Sequence, residues 1–175
     1  MYHGAMTATI EKFHDFTHFG TELAAFHAVL RKTVEGAQGV PTLYQVTIDF
    51  DKHELLQVED WGRARPVALA NVLRKLEQDE LARPMEALWR SLTGRRAKDP
   101  EVHAFGNEAI KAHLHAHGYD GLTYENLVEA DRGTNSICLA DCSAVDIVSV
   151  RRVQSRELEQ SKQWLREPIP LPHRP

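Results

Sequence analysis

Long apolar runs, an excess of basic residues and a set of cysteines are all missing from this chain. No stretch approaches the roughly 20 apolar residues of a membrane-spanning helix. The first 16 residues do not show the basic start and apolar core of a secretory signal. Cys138 and Cys142 are the only two cysteines, too few for a disulfide framework. We therefore expect a cytoplasmic protein with two ordinary reduced thiols and no membrane partner.

The charge balance is also informative. The chain of 175 residues carries 21 Lys and Arg against 25 Asp and Glu, a net charge of −4. This balance argues against a broad basic surface for nucleic acid or for an anionic membrane, although it leaves room for a local basic patch. Nucleic acid is therefore an unlikely but not excluded partner. The 42% hydrophobic and 26% charged residues are ordinary for one globular domain.

Hydrophobic periodicity predicts strands towards both ends of the chain and helices in its middle. Residues 2–4, 42–50, 54–62, 121–128, 136–140 and 145–153 are predicted as strands or extended segments. A helix is predicted from Thr21 to about Gly36, and others over 66–76, 79–92, 101–117 and 154–167, with a kink or restart at Pro84. Residues 5–16 are predicted as a loop.

This order predicts an α+β fold with an antiparallel or mixed sheet built from both ends of the chain. One domain is expected over residues 1–153, with its helical middle at about 64–117. Residues 154–175 are expected to form a surface helix and a proline-rich tail, since four of the eight prolines lie in the last eight residues.

Three stretches could carry chemistry, and each also has a purely structural interpretation. Residues 2–4 (Tyr-His-Gly) place an imidazole beside a bare backbone, or form an ordinary strand end. Residues 17–21 (Thr-His-Phe-Gly-Thr) place an aromatic ring at a helix N-terminus that favours anions, or form a helix cap with Phe19 in the core. Residues 118–129 form a helix-to-strand turn with two carboxylates, Glu125 and Glu129, or a plain surface hairpin.

A histidine cluster receives a structural interpretation. His113, His115 and His117 alternate, and only His113 and His117 share a helix face. Such a pair binds zinc only when further ligands converge on it, and no HExxH pattern is present. We expect a solvated helix end and no metal site. Patterns typical of dinucleotide-binding folds, P-loops and serine hydrolases are absent from the sequence as well.

Taken together, the three stretches resemble the ADP-ribosyltransferase-like superfamily. The likeness is strongest to the branch found in polyvalent proteins of phages and mobile elements. In that branch the late motif typically reads GYDGIVYxNxxE followed by SYIVFDPSQIKSV. Here residues 118–129 read GYDGLTYENLVE, and residues 136–150 read SICLADCSAVDIVSV. The resemblance covers about residues 1–50 and 117–150, and the helical middle carries no recognised motif.

The resemblance implies that NAD binds in a cleft between two small split sheets, with the helical middle as an insertion. It implies that His3 bonds a ribose hydroxyl, that Gly4 contacts the nicotinamide amide through its backbone, and that His18 takes the place of a tyrosine that stacks on nicotinamide. No metal is expected. Seven residues are expected to bind the cofactor: Tyr2, His3, Gly4, His18, Phe19, Gly20 and Thr21.

The third family position departs from the wider superfamily. A glutamate there usually stabilises the oxocarbenium-like transition state, whereas Ser136 occupies it in this chain. Loss of such a charge commonly raises the activation barrier by several kcal/mol. Glu129 is the candidate replacement, with Glu125 behind it, although the branch itself often has serine at this position. The expected catalytic residues are therefore Ser136, Glu129 and His18.

The function implied by the resemblance is NAD-dependent mono-ADP-ribosylation of a macromolecule, with protein as the expected target. Two alternatives remain open. One is a weak or inactive module that kept the fold and binds NAD or a protein partner. The other is an RNA 2′-phosphotransferase-like enzyme, a class that shares the fold and holds phosphate with arginines. Arg31 and Arg132 are the arginines nearest the motifs, but neither falls within a recognisable one.

Overall fold

The computed structural model describes residues 1–59, 61–62, 64–92, 100–125 and 133–162. Within these ranges the chain forms seven strands and five helices. The strands are β1 (Tyr2–Ala5), β2 (His18–Phe19), β3 (Thr42–Thr47), β4 (Leu55–Val58), β5 (Gly121–Glu125), β6 (Asn135–Leu139) and β7 (Asp146–Arg152). The helices are α1 (Glu22–Val34), α2 (Pro66–Lys75), α3 (Asp79–Leu92), α4 (Pro100–Ala116) and α5 (Ser155–Ser161).

The described strands form two separate sheets. The first has the order β1-β3-β7 and is antiparallel throughout. The second has the order β2-β6-β5-β4, in which β5 pairs antiparallel with β6 and parallel with β4. Each sheet combines strands from both ends of the chain. The α+β prediction is therefore confirmed in its coarse form, as two sheets with five helices.

Three groups of buried side chains hold these layers together. The first lies between the second sheet and the helical middle, where Leu69 and Ile110 are fully buried. The second lies between the two sheets and includes Phe19 and Ile137. The third packs α1 and α5 against the other side of β3, at Leu43. Each sheet thus has helices on its outer face and the other sheet on its inner face.

Several predicted boundaries are corrected by the structure. The strand expected over 42–50 ends at Thr47, and a turn of 3₁₀-helix follows at Phe50–Lys52. α3 runs continuously through Pro84, so the helix does not restart there. Residues 18 and 19 form a two-residue strand that hydrophobic periodicity could not have delimited. The parts of predicted elements at 126–128 and 163–167, and the proline-rich tail, lie outside the described residues.

Within the described ranges, no helix combines the length and the apolar character that crossing a bilayer requires.

Candidate active site

The three sequence stretches meet at one pocket. It has a volume of about 530 Å³, within the usual range for small-molecule sites. Its walls include Tyr2, His3, Gly4, His18, Gly20 and Ser136. Phe19 borders it as well, so seven of the expected site residues converge on one concave surface, although they come from positions as distant as 2 and 136.

The two sheets are joined at this pocket by a single bridge between β1 and the residue after β2. Tyr2 N donates to Gly20 O, and Gly20 N donates to Tyr2 O, both at 2.9 Å. This exchange places residues 2–4 beside residues 18–20. It also occupies the backbone groups of Gly20, so Gly20 shapes the wall and does not offer its N–H to a ligand.

Phe16 turns the chain into β2 with a backbone conformation that is unusual for a bulky residue. Its φ is +61°, in the left-handed region. Phe16 N donates to Leu139 O at 2.7 Å, and Cys138 Sγ donates to Phe16 O at 3.2 Å. These contacts hold Phe16 in the strained conformation and so fix where His18 enters the pocket.

His3 is a neutral imidazole with a defined tautomer. Its Nδ1 lies 2.9 Å from His18 O, and a carbonyl oxygen can only accept, so Nδ1 carries the proton. Burial lowers the pKa of His3 to about 4 against the opposing effect of this bond, and the Lys32 charge lowers it further. At neutral pH the other ring nitrogen, Nε2, is therefore a lone-pair acceptor. A hydroxyl group is a suitable donor to it.

Tyr124 is a pocket residue that sequence reasoning missed. It lines the wall from β5, directly opposite Ser136 on β6. Its hydroxyl lies 2.5 Å from His18 Nδ1, and the two rings meet edge to face with centroids 5.7 Å apart. His18 is thus oriented by a phenol. Residue 124 pairs with residue 136 in the strand register, so the register identifies Tyr124 as a neighbour of Ser136. The length of the turn between the two strands does not fix that register, and the sequence therefore could not give it.

Gly4 turns its backbone polar groups towards the pocket. Met1 and Val46 exchange both backbone bonds across β1 and β3, at 2.8 and 2.9 Å. In an antiparallel ladder, residue pairs that exchange backbone hydrogen bonds alternate with pairs that do not. Gly4 lies three positions after Met1 and so belongs to a pair that does not, and its N–H and C=O point away from β3. The Lys32 Nζ donates to Gly4 O at 3.2 Å. An amide or an anion could approach this edge of β1.

The absence of a side chain at Gly4 has a packing reason in addition. A Cβ built there would lie 2.1 Å from Ala25 O and 2.8 Å from a methyl carbon of Val29. Only glycine lets β1 lie this close to α1. Gly20 is similar, because its Cβ would lie 2.6 Å from the Ser136 Oγ. The buried Ser136 hydroxyl is therefore set against the start of α1.

Two of the expected cofactor contacts, Phe19 and Thr21, have partners within the fold. Phe19 borders the pocket but is only 1% exposed, and its ring packs edge to face on Phe13 and His3, so the ring belongs to the core between the sheets. Thr21 is the N-cap of α1, where its side chain accepts from Ala24 N at 3.2 Å. In both cases the structural interpretation of the stretch accounts for the side chain.

The two predicted carboxylates, Glu125 and Glu129, are not among the described residues that line the pocket. Glu129 and Arg132 lie outside the described residues. Glu125 is exposed at the end of β5, and since successive strand side chains alternate, it faces away from the side that carries Tyr124. Among the described residues that line the pocket, none is Asp or Glu. Ser136 is thus the described group at the position where the motif resemblance would place a glutamate.

Two cations on α1 complete the pocket. Arg31 and Lys32 line it together with the small residues Ala24, Ala25 and Ala28 of the same helix. Burial lowers the pKa of Lys32, and the neighbouring Arg31 lowers it further. Neither cation belongs to a sequence motif, so only the helical spacing of residues 24 to 32 could have indicated that they share a face.

The histidine cluster lies elsewhere, on α4. The His113 and His117 rings are 4.6 Å apart, and His117 Nδ1 lies 2.7 Å from the His113 backbone oxygen. Across the described ranges, no group of three or more His, Cys, Asp or Glu side chains is placed to hold a metal ion. Cys138 and Cys142 are both buried free thiols, and burial raises the pKa of each.

No family model matches this chain, and neither a curated protein nor a solved structure is significantly similar to it. The interpretation of the pocket therefore depends on its own geometry and on the motif resemblance.

Proposed function

We propose that this pocket binds NAD and that the protein is a mono-ADP-ribosyltransferase acting on a macromolecule, with protein as the expected class. The observation that carries the proposal is the convergence of three short motifs, separated by more than 100 residues, on one pocket. Each motif resembles an NAD-binding position of the superfamily by its sequence alone. A chance likeness gives no reason for them to meet.

The neutral His3 suits the role that the resemblance gives it. Its Nε2 can accept a bond from a hydroxyl of the nicotinamide ribose, and its Nδ1 bond to His18 O keeps the ring from rotating. The Gly4 N–H lies at the adjacent edge and can donate to the carboxamide oxygen of nicotinamide. Together they would orient the nicotinamide half of NAD in the pocket.

In the proposed reaction the bond between the ribose C1′ and the nicotinamide nitrogen breaks. The electron pair leaves with nicotinamide, and a nucleophile on the target bonds to C1′ and gives up its proton. The developing positive charge on the ribose needs negative or dipolar partners. Ser136 can supply a hydroxyl dipole from the described wall, and Glu129 remains the candidate for a full charge.

A second candidate is a module that binds NAD without turning it over. It is favoured by the lack of any carboxylate among the described lining residues. An RNA 2′-phosphotransferase-like activity gains some support from Arg31 and Lys32 in the wall, whereas the net charge of −4 weighs against a long RNA partner.

The experiment uses a variant that removes one hydrogen-bond acceptor and little else. His3→Asn can keep a donor to His18 O but lacks an atom at the Nε2 position. We expect NAD binding, measured by calorimetry, to weaken about tenfold or more. Release of nicotinamide and transfer of label from NAD to protein in a lysate should fall with it. His103→Ala, on the exposed side of α4, is the matched control and should behave as wild type.

The outcomes separate the candidates. Binding with release and transfer supports the transferase. Binding without release supports the inactive module. A wild-type protein that binds no NAD contradicts both. An unchanged affinity in a folded His3→Asn variant contradicts the placement of NAD at His3.

A further inference from the structure

One face of α1 lines the pocket, and its side chains change from small to charged along the helix. The lining residues Ala24, Ala25, Ala28, Arg31 and Lys32 follow the i, i+1, i+4, i+7, i+8 spacing of a single helix face. The three alanines leave a flat floor beside Ser136 and Gly20. The two cations stand at the far end of this floor, about 10 Å along the helix from Ala24, at 1.5 Å rise per residue. The face suits an elongated ligand with one anionic end.

These two cations lack the carboxylate partners that three other described cations have in pairs. Arg74, Lys111 and Arg151 each make ion pairs with two acidic side chains. Within the described part of the chain, neither Arg31 nor Lys32 has a carboxylate within 4.0 Å. The half-buried Lys32 ammonium donates its hydrogen bond to the Gly4 carbonyl at 3.2 Å, while the charge of Glu35 acts on it from beyond ion-pair distance. A partly desolvated cation with one neutral partner is stabilised by a bound anion.

We infer that Arg31 and Lys32 form the phosphate end of the pocket and bind the diphosphate of a dinucleotide, while its nicotinamide ribose lies at the Ser136 end. This inference rests on the proposed function and specifies the ligand further. The pocket then selects a nucleotide over the corresponding nucleoside. Arg31 can bond two phosphate oxygens through its planar guanidinium, and Lys32 supplies a point charge beside Gly4.

The test compares ligands with and without phosphate. We expect the double variant Arg31→Gln, Lys32→Gln to lower NAD affinity about tenfold or more in calorimetry. Affinity for nicotinamide riboside, which has no phosphate, should stay as in wild type. The wild-type affinity for NAD should fall more steeply with added salt than that of the double variant. Arg156→Gln removes one positive charge from the exposed face of α5 and is the control.

A second probe separates this inference from the proposed function. Inorganic pyrophosphate should raise the melting temperature of wild type and of Arg156→Gln, but not that of the double variant. If NAD fails to bind while pyrophosphate shows this pattern, the phosphate end stands and the NAD assignment falls. If NAD binds wild type and the folded double variant equally, the phosphate end is wrong and the NAD assignment stands. If pyrophosphate stabilises all variants equally, the two cations do not form the site.

Discussion

At the scale of single residues, His3 is the best-defined chemical group in the pocket. Its proton is assigned to Nδ1 by the carbonyl of His18, and its pKa is lowered to about 4, chiefly by burial. It therefore stays neutral throughout the physiological range. Because His3 takes up no proton in this range, the hydrogen bond that it accepts from a ligand hydroxyl should not change with pH.

The same burial makes His3 a source of acid sensitivity. Between the ordinary pKa of 6.5 and the folded value of about 4, the unfolded chain binds a proton at His3 that the folded chain does not. The contribution of this group to the free energy of unfolding is thus fully present above pH 6.5 and is lost as pH falls towards 4. From pH 7 to 4.5, wild type should lose about 2 kcal/mol more than His3→Asn. Urea unfolding at the two pH values measures this, and equal losses in both proteins would contradict the assignment.

The sequence indicates a pocket residue when a short motif contains it, and does not when the residue's role depends on a distant partner. His3, His18 and Ser136 each fall in a motif, and all three line the pocket. Tyr124 was missed, since its role depends on a contact with His18, 106 positions away. Phe19 was placed on the ligand because an aromatic ring looks the same in sequence whether it faces a ligand or the core.

At the scale of elements, the close contact between β1 and α1 builds one wall of the pocket. Gly4→Ala would drive a methyl group to within 2.1 Å of Ala25 O, so the strand and helix must separate. We expect a loss of about 2 kcal/mol or more of unfolding free energy, together with weaker NAD binding. Denaturant unfolding and calorimetry are the measurements.

Gly106→Ala is the matched control for this change. Gly106 lies inside α4, and the nearest atom to a new Cβ would be a Pro66 carbon at an ordinary 3.6 Å. Alanine there should stabilise the protein by about 0.5–1 kcal/mol, because glycine costs conformational entropy in a helix. A Gly4→Ala protein as stable as this control would show that the β1–α1 contact is looser than described.

The elements themselves were predicted well where periodicity was long. The five helices and the strands at both ends of the chain follow from hydrophobic spacing and from glycine and proline punctuation. The two-residue β2 could not be found this way, since it is defined only by its pairing with Ile137 and Cys138. The division into two sheets likewise depends on pairings between residues far apart in sequence.

At the scale of the whole molecule, Lys111 ties the helical middle to the loops that flank the pocket. Its ammonium reaches from α4 to Asp15, before β2, at 3.0 Å, and to Asp141, after β6, at 2.8 Å. These carboxylates, Asp141 first, raise the pKa of Lys111 to about 12. The bridge therefore helps to hold β2, and with it His18, in place at the edge of the second sheet.

Lys111→Met tests this connection. The side chain is 21% exposed, so screening reduces the effect, and we expect a loss of about 1–2 kcal/mol with a lower NAD affinity. Lys75→Met breaks a single, well-exposed pair with Glu59 and should change neither stability nor affinity appreciably. Equal effects of the two substitutions, measured by urea unfolding and calorimetry, would mean that the bridge has no special role.

The most direct test of the central claim is a crystal structure of the protein with NAD. We predict NAD in the pocket where β1 meets β2, with a hydroxyl of the nicotinamide ribose within 3.2 Å of His3 Nε2. Ser136 should lie beside the same ribose. NAD bound at another surface, or a pocket that remains empty at saturating NAD, would contradict the account.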